Sequence, residues 1–572
     1  MIFTDFLSFP LLGTVALSVV LLQLYLGKKY KPLDNIPGPV SPSWITGNFK
    51  QVFNPGAWAF HELIAEKYGG MARLHGPWGT KSLYIFDSKA MHTVLVKDQD
   101  VFEESDGFIE FVLRISTGAI ANLLFFKKKQ PFDLRKRVDW NLGKKITALR
   151  DVLTSSLHSP DVFSSWSSES ALKKRLQSCP LTQEVDILSW MGRTALEIIG
   201  QAGLGYSFDP LTDDESFHPY SKAIKDLFPT LMRVQFWRMN VLQYVSRIGS
   251  AGFRRFVVNL LPWEDLHRIR DMVDYMHRTA EEIYESKKRA FEMGDEVVSQ
   301  QIGRGNDLIS VLMRENLKAS TEDRLQDSEV VGQVIIVTYE VRSSFIVISE
   351  ILIETWASAM ARLLHLLSKH PEAQDKLRQE LVEAKRQKDG QDLSYNELTE
   401  LPYLDAICRE TLRLYAPASN VIRFARRDGV IPLHKPILGL DGTEMHEVAV
   451  PSGTTIFVSI FNANRNPDLW GKDANEWKPE RWLSPLPEPL VEARIPGVYS
   501  HLMTFIGGGR SCIGFKFSQL EMKVVISILV ETFKFSPSDK DPEIFWQMNG
   551  VTAPVVGKDK HPQLPMNISL VN

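Results

Sequence analysis

The chain has 572 residues, 44% of them hydrophobic and 24% charged, with a formal net charge of −3. That composition excludes a disordered chain, since it holds apolar side chain enough for a large core. It also excludes a nucleic-acid binder that works through bulk positive charge. The three cysteines, Cys179, Cys408 and Cys512, lie far apart without a CxxC pair, which excludes a disulfide framework or a paired-cysteine zinc site and fits a reducing compartment.

Between residues 6 and 27 no side chain is charged. The 21-residue run FLSFPLLGTVALSVVLLQLYL would span about 32 Å as a helix, enough to cross a bilayer core. A cleaved signal peptide would want a basic start, a shorter apolar stretch and small residues at the cut. Here Asp5 precedes the run, and Lys28, Lys29 and Lys31 follow it. The segment 1–27 therefore reads as a single transmembrane anchor with the remainder on the cytoplasmic side. Ile36-Pro37-Gly38-Pro39 and Pro42 make 28–45 a basic, proline-rich hinge. Residues 46–572 form the globular body.

Along that body, Asn54-Pro55 predicts a helix start and Gly69-Gly70 its end. Residues 71–86 read as two strands around Gly76-Pro77-Trp78-Gly79. Ser88 is expected to cap a helix reaching about Lys97. Helical periodicity marks 186–201, 264–293 and 358–388, with Pro371 able to start a helix. A helix over 401–415 is ended by Pro417, and 448–450 with 454–459 read as a hairpin about Pro451-Ser452-Gly453. Residues 514–533 give a last amphipathic helix with Leu520, Val524, Ile528 and Phe533 on its apolar side. The body is mainly α with a minor β portion drawn from both ends.

The sharpest local signal is Phe505-Ile506-Gly507-Gly508-Gly509-Arg510-Ser511-Cys512-Ile513-Gly514, just before that helix. It places one cysteine in a glycine-rich loop at a helix N-terminus, where backbone N–H groups and the helix dipole favour a thiolate. Glycines admit a flat cofactor, and Arg510 can pair with an anionic group. A phosphate loop is the rival reading, but its Lys-Ser/Thr ending is missing. An inert buried thiol is the other.

This FxxGxRxCxG pattern resembles the haem-ligand signature of the cytochrome P450 family at every fixed position. A second motif agrees with it. Glu410-Thr411-Leu412-Arg413 sets an acid and a base at i,i+3 on one helix face, and Pro479-Glu480-Arg481-Trp482 lies between that helix and the cysteine loop. The resemblance implies a buried ionic cluster of Glu410, Arg413 and Arg481, with Trp482 in place of the usual Phe. It implies haem b held by the Cys512 thiolate, with Phe505, Gly508 and Gly514 shaping the loop. Arg510 and Arg423 would pair with haem propionates. The fold it implies is that of the cytochrome P450 family behind one N-terminal transmembrane helix.

The pattern breaks twice. In the long central helix the family carries an acid–alcohol pair that assists proton delivery, and Glu354-Thr355 fits it. The stretch 341–354 reads as inserted, however, and removing it would join Glu340 to Thr355 equally well. The second atypical stretch is 124–183, where Arg137 and Trp140 are candidate stand-ins for a propionate-binding helix. Retained introns or misjoined exons would explain both.

The resemblance thus implies a monooxygenase on the endoplasmic reticulum membrane, single-pass with a cytoplasmic catalytic domain. It would insert one oxygen atom of O2 into a lipophilic small molecule, in secondary metabolism or xenobiotic oxidation. Electrons would come from an NADPH-dependent flavoprotein reductase, and no nucleic-acid partner is expected. Two alternatives stand beside it: an impaired haem-fold protein from a mis-spliced gene, and a thiolate-haem isomerase or dehydratase.

Overall fold

The computed structural model describes residues 31–104, 182–209, 251–300, 307–318, 349–391, 393–512, 514–559 and 561–571, with isolated positions between 220 and 249. The apolar run at 6–27, nearly all of 124–183, Glu340 and Cys179 lie outside these residues. Among the described residues no helix is long and apolar enough to cross a membrane.

Helix α1 (Trp58–Tyr68) starts later than Asn54 predicts. Asn54 accepts from Gly56 N through its side chain at 2.8 Å and from Ala57 N through its carbonyl at 3.0 Å. Asn54-Pro55 thus closes a turn ahead of the helix rather than capping it. Strands β1 (Met71–His75) and β2 (Lys81–Ile85) pair antiparallel as expected. The cap of α2 (Ser88–His92) is Asp87, one residue before the predicted Ser88, accepting from Lys89 N and Ala90 N at 3.0 Å each. The path continues as a wider turn over Thr93–Lys97 and then β3 (Phe102–Glu103).

Strand β4 (Gln183–Asp186) leads into α3 (Ile187–Ile199), and α4 (Glu264–Met293) follows the expected periodicity. The helical periodicity over 358–388 falls on two helices, α5 (Ser349–Lys369) and α6 (Pro371–Arg386), the second started by Pro371 as expected. Pro371 has no N–H to continue α5 but suits the first turn of α6. Next comes α7 (Pro402–Leu414).

Strands β5 (Asn420–Ala425), β6 (Gly429–Leu438), β7 (Glu444–Val450) and β8 (Thr455–Ser459) correct the predicted hairpin. Segment β7 pairs with β6, whereas β8 runs parallel to β2 and antiparallel to β5. The reason is burial: most of β7 is exposed, while β8 is buried at four of its five positions, as a strand covered on both faces must be. The sheet order is β1-β2-β8-β5-β3, joining both ends of the body.

Helix α8 (Phe515–Thr532) is enclosed rather than amphipathic, with every residue from Leu520 to Ser527 buried, Glu521 and Lys523 included. Lys523 Nζ meets Asp405 Oδ1 at 2.7 Å. Strand β12 (Pro565–Leu570) pairs with β4 on one side and β9 (Phe533–Pro537) on the other, and β10 (Ile544–Asn549) pairs with β11 (Val551–Val556). Helix α5 packs on α3, β9 and β11, so the helical core and the C-terminal strands form one hydrophobic body.

A polar knot ties α1 to the sheet. His61 Nδ1 and Tyr84 Oη are 2.7 Å apart, Tyr84 Oη donates to Ser459 Oγ at 2.8 Å, and Asn462 Nδ2 donates to Tyr84 Oη at 3.2 Å. His61 is fully buried, and that burial lowers its pKa to about 4.

Candidate active site

The loop before α8 is held by its own backbone. Cys512 N donates to Phe505 O at 3.0 Å, and Ser511 N donates to Gly508 O at 3.1 Å across the single turn Gly508–Arg510. Gly508 has φ 81°, and a Cβ there would lie 2.0 Å from Leu95 O. Only glycine lets the loop lie this close to the chain at Leu95. Gly514 is the N-cap of α8, and Ser518 N donates to its carbonyl at 2.8 Å. A Cβ at Gly514 would meet nothing within 4 Å. Phe505 packs edge-on against Tyr499, with ring centroids 5.9 Å apart.

Cys512 is a free thiol. Burial pushes its pKa up to about 11, and the Gly514 backbone N–H opposes that only in part. The loop amide at Gly514 favours the thiolate, as the sequence suggests, but desolvation outweighs it. A bound cation reverses that balance, because a metal-coordinating thiol is deprotonated outright.

Arg423 and Arg510 converge beside the loop, as expected, but on a residue the sequence did not single out. Arg423 Nη2 lies 3.4 Å from Glu104 Oε1, and Arg510 Nε lies 3.7 Å from Glu104 Oε2. Glu104 follows β3, and β3 pairs with the end of β5, the strand carrying Arg423. Arg423 is buried, and its Nη2 makes no hydrogen bond. Burial lowers its pKa, Glu104 resists that, and Arg510 adds to it. Two guanidiniums against one carboxylate leave a surplus positive charge within the trio.

The predicted ionic cluster is present. Arg413 grips Glu410 with two hydrogen bonds of 2.9 Å, from Nε to Oε2 and from Nη2 to Oε1. Arg481 Nε reaches Glu410 Oε1 at 3.4 Å, and Lys478 N donates to the same oxygen at 3.0 Å. Trp482 Nε1 donates to Glu410 Oε2 at 3.0 Å, a bond that the usual Phe could not make. Asp473 accepts from Arg481 Nη1 at 2.8 Å, and this bond lowers the carboxyl's pKa to about 2.

Asn464, which the sequence did not mark, links the cluster to the loop. Arg413 Nη1 donates to Asn464 O at 2.9 Å, Met503 N donates to Asn464 Oδ1 at 2.8 Å, and Asn464 Nδ2 donates to Thr504 Oγ1 at 2.9 Å. The buried charges thereby fix the chain immediately before Phe505.

Glu354 and Thr355 are consecutive on α5 and both half-buried. Each makes further contacts, and the structure does not bring either beside Cys512 by any described bond. The choice between Glu354 and Glu340 lies outside the described residues. Cys408, on α7, is buried with its pKa pushed up to about 12, an inert thiol.

The sequence model of the cytochrome P450 family matches residues 37–558. The chain belongs to the cytochrome P450 family. It is 44% identical to cytochrome P450 monooxygenase 91 of Postia placenta, covering 99% of both chains. It is 40% identical to a ganoderic acid synthetase of Ganoderma lucidum, covering 92% of each. A crystal structure titled as a cytochrome P450 superposes with a TM-score of 0.62 over 94% of this chain and 99% of that one. At 20% identity this likeness shows the fold alone.

Cytochrome P450 monooxygenases depend on haem iron with an axial thiolate, and the residues here fit that group. A macrocycle that brings its own nitrogen donors asks the protein for a single thiol, and Cys512 supplies one in the glycine loop. The surplus charge of Arg423 and Arg510 suits its acidic side chains.

Proposed function

We propose that this P450 monooxygenase hydroxylates a lipophilic small molecule at the cytoplasmic face of the endoplasmic reticulum, tethered by the apolar segment at 6–27. Electrons come from an NADPH-dependent flavoprotein reductase. The observation that carries the reading is the half-buried Cys512 thiol beside the Arg423–Glu104–Arg510 trio, in a loop whose close approach at Gly508 only glycine allows.

Haem, when bound, supplies dioxygen binding and oxygen insertion. Cys512 would hold its iron as a thiolate, and the Gly514 N–H would temper the sulfur's basicity. Arg423 and Arg510 would pair with its propionates, which would give Arg423 Nη2 the acceptor it lacks. Glu410, Arg413 and Arg481 never touch the reacting atoms; they hold Asn464 and thus the loop. Glu354 and Thr355, side by side on α5, hold and pass protons on the oxygen side. Residues 100–123 and 205–260 set specificity. A relative named for ganoderic acid synthesis supports a role in secondary metabolism.

The test is oxygen uptake by the full chain in vesicles with a P450 reductase. Substrate-stimulated uptake that needs NADPH supports the reading. Substrate turnover without any reductant would replace it with an isomerase or dehydratase.

A further inference from the structure

Helix α5 presents Thr355, Ser358, Arg362 and His365 at i, i+3, i+7 and i+10, along one face. That face meets the end of α7 and the β10–β11 hairpin. Ser358 Oγ donates to Thr552 O in β11, and His365 Nε2 lies 2.7 Å from Asp541 Oδ1. Arg362 is the exception. Its guanidinium carbon lies 3.5 Å from the Trp546 ring centre and 4.3 Å from that of Tyr415. Its Nε is buried without a hydrogen-bond partner.

Ring faces answer the charge of a guanidinium but not its five N–H donors. No acid of the described residues is paired with Arg362. Asp541 is engaged by His365 and Lys369, and Glu62 acts on Arg465 instead. Arg465 is itself a second nearby cation, donating to Leu414 O at 3.1 Å and 2.6 Å and lying over the Tyr415 ring at 5.4 Å. Enclosure, opposed by Tyr415 and aided by Arg465, lowers the pKa of Arg362 to about 9. The side chain is deeply enclosed and still keeps some open surface, a side from which an anion can approach. A charge so enclosed without a counter-ion is costly to keep.

We propose that the open side of the Arg362 guanidinium is a carboxylate-binding site, with the Arg362 fork as the bidentate partner and Arg465 at its margin. A planar anion suits a fork flanked by two aromatic rings, where a tetrahedral one would need donors from more directions. The site lies two helical turns from Thr355, about 10 Å along the axis. Two sources share this chemistry: a free small carboxylate, and the acid end of a lipophilic molecule.

The experiment follows the unfolding midpoint of the full chain in sodium formate, acetate or chloride at fixed ionic strength and pH. A saturable rise with formate or acetate, absent with chloride, is expected. In Arg362→Lys, which keeps the charge and loses the fork, the apparent Kd should weaken at least tenfold; Arg465→Lys gives a smaller loss and serves if the first variant does not fold. A second arm compares a long-chain fatty acid with its alcohol by the haem absorption band. A response to the acid alone that Arg362→Lys removes assigns the site to the acid end of a larger molecule. A response to formate alone assigns it to a free carboxylate. No saturable carboxylate effect on the wild type, or one unchanged in both variants, overturns the proposal.

Discussion

Trp482 donates its indole N–H to Glu410 Oε2 at 3.0 Å, making the tryptophan a polar member of the ionic cluster as well as an apolar wall. Glu410 thereby takes hydrogen bonds from Arg413, Arg481, Lys478 and Trp482. Trp482→Phe should cost about 1–2 kcal/mol, since one bond to a charged acceptor is lost while four others remain. Glu410→Ala strands two cations and should cost roughly 3–5 kcal/mol. Unfolding midpoints of the two variants check this ordering, and equal losses would contradict it.

Asn464 carries the connection from Arg413 to Met503 and Thr504. In Asn464→Ala the carbonyl bond from Arg413 survives and both side-chain bonds go. The fold should persist, while haem passes to a scavenging apoprotein at least several-fold faster. A rate equal to wild type would show that the cluster does not act through this residue.

Gly508 sits at φ 81°, with Leu95 O at 2.0 Å from where a Cβ would be. Gly508→Ala should move the loop and abolish stable haem uptake, read as the ratio of haem to protein absorbance. Gly514→Ala, with nothing within 4 Å of its Cβ, should keep the protein folded even if haem binding weakens.

Much of this arrangement is legible in the sequence because it is local. The i,i+3 pair Glu410 and Arg413 and the glycines around Cys512 announce themselves by spacing. Glu104 and Asn464 do not, because each acts on a partner distant in sequence and neither lies in a recognisable pattern. The failure of the 448–459 hairpin has the same origin: the turn at Pro451-Ser452-Gly453 is real, but partner choice is set by which strand must be buried. The Cys512 thiol is only half legible for a different reason. Sequence shows the helix N-terminus and not the depth of burial, and burial decides the pKa.

Acid should destabilise the fold through two histidines. His61 and His365 both have pKa values lowered by burial to about 4, from 6.5 when free. The unfolded chain therefore takes up these protons first. Stability that is complete above pH 6.5 is lost as pH falls toward 4, by on the order of 3 kcal/mol for each group. Unfolding midpoints between pH 7.5 and pH 4 should fall steeply, and His61→Gln should flatten the slope by about one proton.

The central claim is that Cys512 holds the haem iron. Its most direct test is the carbon-monoxide difference spectrum of the reduced full-length protein, taken beside Cys512→Ala. The wild type should show the Soret band of a thiolate-ligated haem, and the variant should lack it. The band surviving in Cys512→Ala, or a haem-loaded wild type without it, would contradict the assignment.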